Sequence, residues 1–143
     1  MMRRMSAKFR ARAKEAKPVR DRLIARAGCC MICGASQKRP KHHLAELNQL
    51  VCHEISNGPL RQKSLDKPFC ILVLCAYCNQ HEVEDKRKWP QSRQLALLQE
   101  KSPDNYDLVA FNHLVNPNAP RRIEQHEVDH WLKQHKITDK SSF

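Results

Sequence analysis

Residues 69–79, Phe69-Cys70-Ile71-Leu72-Val73-Leu74-Cys75-Ala76-Tyr77-Cys78-Asn79, decide how this chain is read. A continuous apolar run of strand length, Phe69 to Leu74, feeds directly into the pair Cys75-x-x-Cys78. Two residues between cysteines allow one tight turn to present both thiolates to the same metal ion, and a second such turn completes a closed tetrahedral site of the kind zinc takes. That second turn is Cys30-Met31-Ile32-Cys33, followed by Gly34, where the backbone of such a knuckle needs a permissive residue. Cys30, Cys33, Cys75 and Cys78 are therefore the expected zinc ligands, and a site closed by four thiolates is structural rather than catalytic. Cys29 is the alternative to Cys30, disfavoured by the spacing; buried thiols or a redox-active dithiol are the alternatives to a metal. The two pairs are separated by residues 34–74, 41 positions in all, against roughly 12 to 20 in a simple zinc ribbon. A substantial insertion lies between them, and the metal would pin its ends together.

The chain has 143 residues, enough for about one domain. Its seven cysteines fit a disulfide framework poorly, and its three glycines argue against an all-β fold rich in tight turns. The longest apolar run, Phe69 to Tyr77, has nine residues, short of the roughly 18 that a membrane-spanning helix needs. No apolar segment follows the basic N-terminus, so a secretory signal is not expected and a reducing, cytoplasmic location is. Lys and Arg number 26 against 15 acids, for a net charge of +11. The excess is concentrated: residues 1–26 hold ten cations and two acids, whereas residues 101–143 hold six of each. Such a block attracts a polyanion and gains from counterion release, which points to nucleic acid. A solvated tail that only aids solubility is the alternative. Arg3, Arg4, Lys8, Arg10 and Arg12 are the expected backbone contacts; a second patch at Lys38, Arg39, Lys41, His42 and His43 reads as loop charge. The apolar face around Met5 and Phe9 is too weak for a membrane surface.

Outward from the cysteines the chain divides into a basic N-terminal extension (1–17), a metal-containing region (18–90) and a helical segment (91–143). Pro18 is expected to interrupt the N-terminal helical pattern and open a short helix to Ala27, stopped by Gly28. Leu50 to Ile55 reads as a strand, Asn57-Gly58-Pro59 as a turn, and Ala76 to about Trp89 as a helix. Beyond Pro90, helices are expected over Gln91–Lys101, from Pro103-Asp104 through Phe111, and from Ile123 to about Lys136. The class is α+β. No chemistry is visible beyond residue 90; the apolar stripes there read as core, or as a docking face for a protein partner or a second copy. His113, His126, His130 and His135 have no ligand set around them.

Between the cysteine pairs lie His53-Glu54-Ile55 and Gly58, and the second pair reads Leu74-Cys75-Ala76-Tyr77-Cys78-Asn79. Together with Cys30-x-x-Cys33 this ordered set, over roughly residues 20 to 88, resembles the HNH endonuclease family, the ββα-metal fold in its four-cysteine form, and its small phage-type members in particular. The resemblance implies a zinc-stabilised ββα-metal core with a basic N-terminal helix and a helical C-terminal appendage. It also implies a catalytic divalent ion, Mg2+ or Mn2+, held against the scissile phosphate between the end of the first strand and the start of the helix. Asn79 matches the family's last ligand to that ion, and His53 with Glu54 the paired active-site residues. With Ile55 in the family's apolar position, His53 takes the ligand slot and Glu54 the base slot; a shifted register gives those slots to Cys52 and His53. A carboxylate of pKa about 4.3 is a weak base unless burial raises it. One departure bears on catalysis. The family's central Asn, whose amide orients the base, falls at Cys70, and a thiol cannot replace it. His81 reads as an exposed helix histidine, with an additional ligand or proton carrier as the alternative, and Arg61 as a phosphate contact or the salt-bridge partner of Glu54.

The resemblance implies cutting or nicking of DNA with low sequence specificity, because phosphate contacts read no sequence. The rival expectation is a catalytically impaired module of the same fold that binds DNA or RNA within a phage or nucleoprotein assembly. Metal-dependent cleavage, as against salt-dependent binding alone, separates the two.

Overall fold

A computed structural model describes residues 7–56, 61–118 and 122–141. The expected turn at Asn57-Gly58-Pro59 lies outside the described residues. Two short antiparallel strands, β1 (Leu50–Glu54) and β2 (Ile71–Cys75), pair from Leu50 opposite Cys75 to Glu54 opposite Ile71. Hydrogen bonds from Ile55 N–H to the Cys70 carbonyl (2.7 Å) and from Ala76 N–H to the Gln49 carbonyl (2.9 Å) extend the pairing at both ends. Every residue of β2 is buried, which is why it reads as an unbroken apolar run rather than an alternation. β1 does alternate. Cys52 and Glu54 meet Arg20 of the first helix, α1 (Ala7–Ala27), while His53 turns the other way, toward Asn79 and Gln94. β2 runs straight into α3 (Ala76–His81), whose first turn is capped by the Cys75 sulfur. β1, β2 and α3 form a small ββα-like unit within a mixed helix and strand fold.

α1 corrects the expectation of a break at Pro18: it is one helix of 21 residues with the proline inside. An interior proline removes one helical hydrogen bond and costs about 3 kcal/mol. Contacts on both sides of it hold the helix together. Arg12 pairs with Asp66 at 3.0 Å, Ala16 is fully buried, and Arg20 reaches Glu54 (2.8 Å) and the carbonyls of Leu65 (3.2 Å) and Cys52 (3.1 Å). The Pro18 ring itself is exposed. The helix ends as expected at Gly28, whose φ of +72° suits glycine and whose N–H returns to the Ile24 carbonyl (3.0 Å).

A second correction concerns α3, which stops at His81 instead of running to Trp89. Val83 and Trp89 are both drawn into the core, 0 % and 4 % exposed, and a continuous helix would not bring both there. The Asp85 side chain accepts from the N–H groups of Arg87 (3.0 Å) and Lys88 (3.4 Å), giving the backbone an alternative to the helical ladder. A one-turn helix, α2 (Arg61–Ser64), precedes β2, and α4 (Gln91–Lys101) has the expected bounds. The next helix, α5 (Leu108–Val115), begins five residues after Pro103, at the point where Asp107 caps it through Ala110 N–H (3.0 Å). The last, α6 (Gln125–Ser141), begins beyond Ile123, because the Asn112 side chain binds both the N–H (3.0 Å) and the carbonyl (2.9 Å) of Ile123.

One apolar cluster joins the ββα-like unit to the helical segment: Ile55, Leu72, Leu74 and Val83 share it with Leu95, Leu98, Phe111 and Val128. Arg93 of α4 lies over the rings of Trp89 (3.8 Å) and Trp131 (5.3 Å), and Trp131 donates to Ser92 (3.0 Å), so α6 is fastened to α4 beside the site. Among the described residues no helix is long and apolar enough to cross a membrane.

Candidate metal centre and the His53 site

The sulfurs of Cys30, Cys33, Cys75 and Cys78 all lie within 4.8 Å of one another, with Cys33 and Cys75 in contact at 3.6 Å. Four sulfurs at about 2.3 Å from one tetrahedral ion would sit about 3.8 Å apart, so the cluster could hold a metal such as zinc. Cys30, not Cys29, belongs to this cluster; Cys30 is buried and Cys29 is exposed. Local structure builds each knuckle. Cys30 N–H bonds the Ala35 carbonyl (2.8 Å), Gly34 at φ +80° returns its N–H to Cys30 (2.9 Å), and Met31 N–H docks the turn on Val73 of β2 (3.0 Å). In the second knuckle, Cys78 N–H points at the Cys75 sulfur (3.5 Å).

The thiol chemistry fits a dication. A hydrogen bond from Cys78 pulls the Cys30 thiol below its ordinary range, while the Cys33 and Cys78 thiols are pushed up, Cys33 chiefly by burial and Cys78 chiefly by serving Cys30 as donor. A doubly charged ion held by these four sulfurs would favour their deprotonated forms.

The structure also brings His42 to this cluster, a residue that reads as loop charge in the sequence. Its Nε2 lies 3.4 Å from Cys75 Sγ and 3.7 Å from Cys33 Sγ.

Of the expected catalytic residues, two come together. His53 Nδ1 lies 3.0 Å from Asn79 Oδ1, where β1 passes the start of α3. Glu54 does not join them. Adjacent strand residues point to opposite faces, and Glu54, 7 % exposed, meets Arg20 at the α1 side. Cys52 shares that side and donates to the Arg20 carbonyl (3.6 Å); burial pushes its thiol up to about 11. Cys70 is fully buried, with its thiol pushed up to about 12 by burial.

The polar partner that orients the His53 ring is Gln94 of α4, which sequence reasoning missed. Gln94 is 1 % exposed, donates its amide to the Trp89 carbonyl (2.9 Å), and so turns its oxygen to His53 Nε2 (2.9 Å). That oxygen requires a proton on Nε2. Burial holds the imidazole below its usual pKa, against hydrogen bonds to Gln94 and Asn79 that favour its protonated form. In the neutral ring with its proton on Nε2, the Nδ1 lone pair faces Asn79 Oδ1, an arrangement that a shared cation or a turned Asn79 amide would relieve.

Among the expected nucleic-acid contacts, Lys8 and Arg10 are exposed on α1. Arg12 turns inward to Asp66 and Glu15 (3.0 and 3.2 Å). Arg3, Arg4 and the side chain of Arg61 lie outside the described residues. His81 is exposed and meets the Tyr77 ring at 4.8 Å. A cavity of about 490 Å³ opens beside the first knuckle, but its lining includes neither His53 nor Asn79. No protein-family model, curated protein or solved structure matches the chain.

Proposed function

We propose that the chain is an HNH-like, zinc-braced module that cleaves nucleic acid, DNA in the first instance, at a divalent ion held by His53 and Asn79. The observation that carries this reading is the 3.0 Å approach of His53 Nδ1 to Asn79 Oδ1 in a ββα-like unit braced by four cysteines. Two ligand atoms cis on a six-coordinate ion with bonds of about 2.1 Å stand about 3.0 Å apart. The donor set fits in part. One imidazole nitrogen and one amide oxygen suit Mn2+ better than Mg2+. When bound, the ion would stabilise charge on the phosphate and on the leaving oxygen. The protein's own part is positioning. Gln94 fixes the ring so that Nδ1 is the donor, α3 supplies Asn79, and Lys8 and Arg10 draw the polyanion to α1.

The rival reading, a module that binds without cutting, is favoured by the Arg20–Glu54 pair, which keeps the expected base on the other side of β1. Supercoiled plasmid with Mn2+, Mg2+ or EDTA distinguishes them. Nicking that requires the ion and is lost in His53→Ala and Asn79→Ala supports the nuclease. Retarded but intact plasmid under all three conditions refutes it in favour of the binding module.

A further inference from the structure

We propose that His42 belongs to the metal centre as an outer donor: it caps the Cys33–Cys75 edge, gives its Nε2–H to those two sulfurs, and retains the ion. The inference rests on the four cysteines holding a metal and is independent of any cleavage at His53. The two distances, 3.4 Å to Cys75 Sγ and 3.7 Å to Cys33 Sγ, place the nitrogen over an edge that is itself 3.6 Å long. The four sulfurs lie within 4.8 Å of one another and suffice for a tetrahedral ion. His42, placed against two of them, is a fifth group over one edge.

The ring is held there by structure on two sides. Asn48, 1 % exposed, accepts from the N–H groups of Lys41 (2.8 Å) and His42 (3.0 Å) and donates to the carbonyls of His42 (3.0 Å) and Leu44 (3.1 Å). Tyr77, inside the second knuckle, stacks on the imidazole at 4.4 Å and 21°. One loop and one knuckle, 33 residues apart at the His42–Cys75 contact, thus meet over the sulfurs.

Four thiolates around a dication carry a net charge of about −2. An N–H donor to sulfur spreads that charge and makes the thiolates weaker nucleophiles; outer-shell partners of this kind commonly change metal affinity about 10–100-fold. Cys33 is the ligand with most to gain, being partly exposed while Cys30, Cys75 and Cys78 are buried. Exposed Lys38, Arg39 and Lys41 on the same loop add positive charge beside the centre.

The test uses the zinc-loaded full chain. His42→Phe keeps a ring on Tyr77 and removes the donor, and His42→Gln restores an N–H. Transfer of zinc to a chromophoric chelator is expected to be about ten-fold faster for the Phe variant and intermediate for Gln, with Cys33 alkylation accelerating in parallel. Wild-type rates in a folded Phe variant would overturn the proposal. If that variant does not fold, the wild-type chain loaded with a spin-active cadmium isotope decides by NMR. A coupling from cadmium to the His42 Nε2 proton through sulfur supports the donor role; a direct cadmium–nitrogen coupling, or neither, overturns it. A wild-type chain that takes up no zinc would instead remove the metal centre on which the inference stands.

Discussion

Replacing Gln94 by Leu tests whether the His53 ring is held as described. Gln94 makes two buried hydrogen bonds of 2.9 Å, accepting from His53 Nε2 and donating to the Trp89 carbonyl. Leucine matches the volume and makes neither bond. The His53 Nε2–H left without its acceptor costs about 2 kcal/mol and the lost bond to Trp89 about 1 kcal/mol, and the added apolar burial returns about 1.5 kcal/mol, for a net loss of about 1.5 kcal/mol. Against the 5–15 kcal/mol typical of a domain this is readily measured, and it corresponds to a fall in melting temperature of roughly 5 °C. Urea unfolding of the zinc-saturated protein reads the loss, and the ring nitrogen spectrum reads the tautomer. Wild type should carry its proton on Nε2; the Leu variant should populate both tautomers. Gln94→Glu keeps an acceptor for the ring, sets a lone pair against the Trp89 carbonyl, and should favour the imidazolium. A Leu variant within about 0.5 kcal/mol of wild type, with its proton still fixed on Nε2, would refute the role assigned to Gln94.

The exposed Pro18 interrupts the hydrogen bonding of α1, so Pro18→Ala should stabilise the protein by about 2–2.5 kcal/mol after the entropy released to the unfolded chain is counted; a lower urea midpoint would contradict this. Burial holds the His53 pKa below its ordinary value. The unfolded chain therefore takes up this proton first as pH falls, and the stability is complete above about pH 6.5 and declines as pH drops toward the folded-state value. Unfolding midpoints between about pH 7.5 and 5.5 should fall more steeply in wild type than in His53→Gln, and parallel curves would sink the assignment. Replacing Lys8 or Arg10 by Gln should lower the slope of log affinity against log salt by about one each. Arg12→Gln should leave that slope unchanged and cost about 0.5–1 kcal/mol of stability through Asp66, and the reverse pattern would place Arg12 on the nucleic acid.

What was legible in the sequence is what local spacing encodes. Two residues between cysteines, an apolar run entering Cys75, and leucines at helical spacing after Pro90 pointed to the cysteine cluster, β2 and the bounds of α4. The errors have local causes of another kind. Pro18 stays helical because Arg12 and Arg20 fasten α1 on both sides of it, and α3 ends early as Val83 turns into the core, its N–H returning five residues to the Cys78 carbonyl, out of the helical register. Gln94 and His42 were out of reach for a different reason. Each acts on a partner 41 or 33 residues away, and neither lies in a motif. A glutamine among leucines on a core-facing helix was the one available signal, since a buried amide must find partners. The opposite faces of His53 and Glu54 were readable from strand alternation, which favoured neither assignment of base and ligand.

The central claim, that His53 and Asn79 form a donor pair for a divalent ion, is tested most directly by adding substoichiometric Mn2+ to the zinc-loaded, isotope-labelled protein and following paramagnetic broadening. The account predicts that the Asn79 side-chain amide and the His53 ring broaden first, and that Asn79→Ala abolishes the effect at His53. Broadening that begins at surface carboxylates and spares both residues would contradict it.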